Sequence, residues 1–132
     1  MATTKAKKDA LQILEAGYAA AQPKNFLRNF VKKNEIRLGK KRLILSDYEK
    51  IFVIAFGKAA DSMAKAVSET LDISYGIVVI PQYSKSLLSN KKFKMFYSGH
   101  PIPDKESVRA GKAVLKFANN CSKRDFVIFL VS

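Results

Sequence analysis

The chain is poor in the residues that staple small secreted domains or build metal centres. It holds one cysteine, Cys121, and one histidine, His100, in 132 residues. A lone cysteine excludes an internal disulfide and suits a reducing compartment. With one histidine, one cysteine and no clustered carboxylates, the expectation is that this chain alone builds no zinc or other metal site. Long apolar runs are missing too, since none approaches the roughly 20 residues of a membrane helix. The opening MATTKAKKDALQ has lysines but no apolar stretch behind them, so it does not read as a secretory signal. These absences give the expectation of a soluble, cytoplasmic protein with no membrane partner.

Acidic residues are also scarce, 11 against 24 basic ones, for a formal net charge of +13. The excess is spread along the chain. Its densest clusters are Lys40, Lys41 and Arg42 in a turn, and Lys91, Lys92 and Lys94 further on. Neither cluster is interleaved with aromatic side chains as a base-stacking platform would be. A solvated lysine-rich surface is therefore favoured over nucleic-acid binding, and small anions are the ligands such a charge attracts.

What is present is a globular composition, 48% hydrophobic and 27% charged, sufficient for one compact domain. The periodicity predicts a helix over residues 4–21, with Leu11, Leu14 and Tyr18 on one face and Gln22-Pro23 as its stop. Phe26, Leu27, Phe30 and Val31 extend that spacing into a second short helix. EIRLGKKRLIL alternates around Gly39 as a small hairpin, and residues 46–50 read as a connector. Four apolar β-prone runs follow, IFVIAF (51–56), GIVVIP (76–81), FKMFYS (93–98) and DFVIFLV (125–131). Between them, Ala60, Met63, Ala64, Val67 and Leu71 recur at helical spacing, as do Val108, Gly111, Leu115 and Ala118 behind an Asp104 N-cap. Strands alternating with helices predict an α/β fold, a mostly parallel sheet of doubly wound type. The run FVIFLV predicts a strand buried on both faces, yet the sequence stops at its carboxyl end. A domain cut short is the expectation.

The chemistry concentrates at two strand ends. Gly57-Lys58 follows the first strand and opens a helix. It is not a Walker A loop, because Phe52 stands where the first glycine belongs and Ala59 replaces Ser/Thr. It is not a dinucleotide fingerprint either, because Gly57 lacks partner glycines. A strand–Gly–Lys–helix junction can hold a phosphate or carboxylate with backbone N–H groups and an ammonium. A lysine reaching out to solvent explains it equally well, and both readings stay open. SGHPIPD, residues 98–104, lies at the corresponding edge after the third strand, stiffened by two prolines. His100 there reads as a hydrogen-bonding loop residue by default. The spacing gives no support to a Ser–His–Asp triad.

Taken in order, IAFGKAADSMAKAV, GIVVIP, SGHPIPDKESVRAGKAVLKFA and DFVIFLVS resemble the N-terminal part of the glycerate 2-kinase family. These are the MOFRL-type enzymes also described as hydroxypyruvate reductases, and the resemblance covers residues 5–132. It implies a Rossmann-like domain, here with a helical lead and hairpin (1–46) and a βαβ core (47–132), and a second domain absent from this sequence. It implies ATP-dependent phosphorylation of D-glycerate to 2-phosphoglycerate, with Mg²⁺, in a cleft between two domains. By position, Lys58 matches a lysine that binds substrate or stabilises the transferring phosphoryl group, and Gly57 the tight turn before it. His100 and Asp104 match a GHP-x-PD loop supporting the cleft, and Ser132 the first residue of a glycine-rich phosphate loop. Three readings follow. The chain is the N-terminal portion of such a kinase, inactive alone; or part of a hydroxypyruvate reductase, against which the missing Gly-x-Gly-x-x-Gly counts; or a free-standing α/β module that binds anions or assembles with a partner. An apolar last strand also predicts self-association.

Overall fold

The computed structural model describes residues 4–89 and 91–132. Its elements in chain order are α1 (Lys5–Ala21), α2 (Pro23–Leu27), β1 (Val31–Lys32), β2 (Glu35–Leu38), β3 (Lys41–Ile44), β4 (Lys50–Phe56), α3 (Ala60–Ser68), β5 (Tyr75–Pro81), β6 (Phe93–Ser98), α4 (Lys105–Asn119) and β7 (Asp125–Val131). The β4–β7 set forms one parallel sheet in the order β6-β5-β4-β7. The chain thus starts in the middle, steps outward twice, then returns to the other side of β4. That reversal is the switch point of a doubly wound sheet.

Strand alternation divides the core into two layers. Val53, Ala55, Val78 and Ile80 point to the side covered by Ala60, Ala64 and Val67 of α3. Ile77 and Phe96 point to the side covered by Ala110, Val114 and Phe117 of α4. Val53, Ile54 and Val78 are wholly buried. Each such aliphatic side chain contributes roughly 1.5–3 kcal/mol by leaving water, so the β4–β5 pair anchors the domain. Near this layer a small antiparallel sheet, β1-β2-β3, turns at Gly39 and delivers Val31, Ile36 and Leu45 to the same core.

The α/β parallel sheet expected from the sequence is present, with strands β6 and β7 at the predicted bounds. Five local expectations are corrected. Helix α4 does not pack through the face read from the sequence, since Val108, Gly111 and Leu115 are exposed and Ala110, Val114 and Phe117 meet the sheet instead. Val31 belongs to a two-residue strand and not to a helix, because it pairs with Ile36 across the tight Lys33-Asn34 turn. Helix α3 stops at Ser68, before Leu71, which is nevertheless buried. The amphipathic face of α1 is uncovered among the described residues: Leu11, Leu14 and Tyr18 are all exposed, and no residue of this helix is buried. Finally, β7 is not buried on both faces. Among the described residues it pairs with β4 alone, and α4 packs over β5 and β6, leaving Phe129 and Val131 exposed at 55% and 61%.

Candidate functional site

The carboxyl ends of β4 and β7 lie side by side, with Phe56 opposite Val131 in register. The chain leaves β4 through Gly57 at φ 113°, a backbone conformation that side chains rarely adopt. A Cβ on Gly57 would also collide with Ser132, so two independent constraints demand glycine there. The Ser132 N–H donates to the Phe56 carbonyl at 3.2 Å, and its Oγ accepts the Ala59 N–H at 2.9 Å. The Gly57 N–H donates to the Val79 carbonyl at 3.2 Å. The turn is thereby tied to β5 on one side and to the end of β7 on the other.

This frame presents Lys58. Its side chain is exposed and, among the described residues, has no carboxylate partner. It stands just before the first turn of α3, where the helix carries its own partial positive charge. Two like-signed features at the mouth of a switch point form an anion-attracting corner. Gly57, Lys58 and Ser132 are therefore brought together, although 74 residues separate Lys58 from Ser132 in the sequence.

His100 and Asp104 are placed elsewhere, beyond the edge strand β6. One strand, β5, separates β6 from β4, a distance of about 10 Å across the sheet. His100 is exposed, follows Gly99 and precedes a cis bond to Pro101, and its Nδ1 meets the Tyr83 hydroxyl at 3.1 Å. The two rings lie edge to face at 6.0 Å. Asp104 is engaged as the N-cap of α4. Its Oδ1 accepts the Ser107 N–H at 2.8 Å and the Gly99 N–H at 3.0 Å, while the Ser107 hydroxyl accepts the Asp104 N–H. These bonds, that from Gly99 foremost, hold the Asp104 carboxyl below its usual value. Its carboxylate thus closes the SGHPIPD loop onto the helix.

One residue of this region escapes sequence reasoning. Asp61, in the first turn of α3, is 6% exposed, the one buried charged side chain among the described residues. It accepts the Ser86 hydroxyl at 2.6 Å and the Leu87 N–H at 2.5 Å, clasping the loop after β5 against the helix. Nothing in the spacing announces a bond across 25 residues, and an acidic residue at a helix start has an ordinary explanation in the helix dipole.

The corner suits an anionic group: among the described residues the Lys58 ammonium has no carboxylate partner, while Ser132 bonds to the Phe56 carbonyl and to the Ala59 N–H. It does not suit a divalent cation held by protein ligands. Asp61 and Asp104 are both committed to hydrogen bonds, and no group of three His, Cys, Asp or Glu side chains among the described residues could hold a metal ion.

A parallel sheet in doubly wound order with a lysine-bearing turn at its switch point defines the class, an α/β protein of the kind in which the carboxyl ends of the central strands are the place to look for a ligand site. Residues 9–132 match the model of a family described as a domain of unknown function, DUF4147, and the chain belongs to that family. Its relatives name the wider group. The chain is similar to the glycerate 2-kinase of Pyrococcus horikoshii, 33% identical over 92% of this chain and 27% of that one. It is similar also to the D-glycerate 2-kinase of Thermotoga maritima, 29% identical over 96% of this chain and 28% of that one. Two crystal structures share the fold. A Pyrococcus horikoshii protein superposes with a TM-score of 0.79 at 31% identity, over 98% of this chain and 29% of its own. A Thermotoga maritima glycerate kinase superposes with 0.75 at 27%, over 92% and 27%. The resemblance to the N-terminal portion of glycerate 2-kinases holds, and the chain spans under a third of the length of these relatives.

Proposed function

We propose that this chain supplies the anion-binding half of a glycerate 2-kinase site, working in phosphoryl transfer from ATP to the 2-hydroxyl of D-glycerate. The observation that carries this reading is the exposed Lys58 ammonium, without a carboxylate partner among the described residues, at the switch-point corner framed by Gly57 and Ser132. Phosphoryl transfer asks a protein chiefly for positioning and charge neutralisation. Lys58 meets the second need by facing the glycerate carboxylate or the oxygens of the phosphoryl group. Gly57 and Ser132 meet the first by fixing the turn from which Lys58 projects. His100 and Asp104 shape the neighbouring loop without reaching Lys58's strand end. ATP with Mg²⁺ supplies the phosphoryl group, and this chain's own carboxylates are not assigned to the metal.

The test is ADP release with ATP, Mg²⁺ and D-glycerate, run on the 132-residue chain and on the longest polypeptide that contains it. Activity is expected in the longer form, with Lys58→Ala lowering it about 100-fold, the scale of losing one charge-stabilising group. Unchanged rates in that variant would remove Lys58 from the site. Reduction of hydroxypyruvate by NADH, with no use of ATP, would sink the kinase reading altogether.

A further inference from the structure

The loop that follows β5 is pinned on both sides at the carboxyl edge of the sheet. Toward β6, the Gln82 N–H donates to the Ser98 carbonyl at 2.9 Å, and the Tyr83 hydroxyl meets His100 Nδ1 at 3.1 Å. Toward α3, the Ser86 hydroxyl and the Leu87 N–H both donate to the buried Asp61 carboxylate. Between these anchors stands Lys85, exposed and, like Lys58, without a carboxylate partner among the described residues. The clasp brings the two lysines to one corner. Ser86, the chain neighbour of Lys85, bonds at 2.6 Å to Asp61, which lies three positions after Lys58. Along that path the two lysine α-carbons are within about 20 Å of each other. Two four-carbon stems with one phosphate-sized anion between them cover that span.

We propose that Lys85 is the second cation of the Lys58 corner, that the pair takes a doubly charged phosphoryl group, and that Asp61 positions Lys85 for it. The inference rests on the phosphoryl-transfer reading of that corner. D-glycerate carries one carboxylate, and the single charge of Lys58 answers it. A phosphate ester carries close to two charges near neutral pH, and lysine meets phosphate as a point charge. A second lysine therefore favours phosphate over carboxylate. The burial of Asp61 fits the same role. Its two donors are neutral, so the clasp keeps a carboxylate out of water without a cation beside it, an arrangement that holds a loop in one place. The phosphoryl group has two sources, the polyphosphate chain of the donor and the phosphorylated product, and both present the same chemistry to the pair.

Amide shifts of the nitrogen-15-labelled chain test this, in titrations with inorganic phosphate and with D-glycerate at about pH 8, where phosphate is doubly charged. Phosphate is expected to move the signals of Lys58 and Ala59 together with those of Lys85 and Ser86, and to saturate. Lys85→Gln should weaken phosphate about tenfold, the scale of one charge-assisted bond, and D-glycerate by less than about twofold. Lys58→Gln should weaken both. Asp61→Ala should weaken phosphate as far as Lys85→Gln does, and the double variant no further, because the two residues act as one unit. Lys7→Gln removes the same charge from an exposed position on α1 and should change neither ligand. Tripolyphosphate binding more tightly than 2-phosphoglycerate supports the pair as a donor site, and the reverse order supports it as a product site. Shifts that do not saturate, or an equal loss in Lys7→Gln, overturn the proposal in favour of diffuse attraction by the net charge. Full phosphate affinity in Lys85→Gln beside a loss in Lys58→Gln removes Lys85 and leaves the kinase reading standing. No loss of either ligand in Lys58→Gln strikes that reading itself, and the lysine pair with it. Additive losses in the double variant overturn the positioning role of Asp61.

Discussion

Lys58 and Asp61 stand three positions apart at the start of one helix and meet opposite fates. The lysine is exposed with no carboxylate partner among the described residues, whereas the aspartate is buried and receives two hydrogen bonds from the loop after β5. The lysine's place was legible, because an apolar run followed by Gly-Lys and a helical period locates it at a strand's carboxyl end. The aspartate's role was not, because its partners Ser86 and Leu87 come near it only when β5 lies beside β4. Replacing Asp61 by alanine leaves a hydroxyl and an N–H without their acceptor, at a cost of about 1–3 kcal/mol. Chemical denaturation should show that loss, and hydrogen exchange at Leu87 and Leu88 should rise while that of Val53 and Ile54 changes only with global stability. Unaltered exchange at Leu87 would mean that the clasp does not hold the loop.

Elements were readable to the extent that their own residues determine them. Helix α4 begins at the predicted cap because Asp104 answers the orphan N–H groups of its first turn, and Ser107 returns the bond. This cap has a pH signature. The Asp104 carboxyl lies below its usual value of 3.8 in the folded chain, so its contribution is present above that value and lost as the pH falls through the lower, folded one. Thermal unfolding followed at 222 nm should therefore show the melting temperature falling below about pH 4 more steeply for the native chain than for Asp104→Asn, which caps without a charge. Parallel acid limbs would contradict a charged cap. By contrast, α1 and β7 were legible as elements but not in their surroundings. Their apolar residues predicted burial, and burial depends on what packs against them. Helix α4 crosses over β5 and β6, and α1 leaves along the line set by Gln22 and α2.

At the scale of the molecule, the +13 charge sets the behaviour in solution. Ion pairs such as Lys24–Glu69 and Arg124–Glu49 are exposed and engage only part of this excess. Surface pairs of this kind contribute little, whereas like-charge repulsion acts across the whole compact state. Raising ionic strength from about 10 mM to 150 mM shortens the screening length from roughly 30 Å to 8 Å. The melting temperature should rise over that range, as measured by differential scanning fluorimetry. A fall would show that the exposed pairs outweigh the repulsion.

The sequence by itself determined the alternation of strands and helices, the cap of α4, the turn at Gly57 and the family, because each is written in neighbouring residues or in the spacing of apolar ones. Tertiary structure alone decided the strand order β6-β5-β4-β7, and with it which loops share an edge. That order brings Ser132 against Gly57 and Ala59 and keeps His100 and Asp104 on the far side of β5. Such contacts join residues dozens of positions apart, and no local propensity specifies them. They follow from which faces find cover, a property of the packed whole.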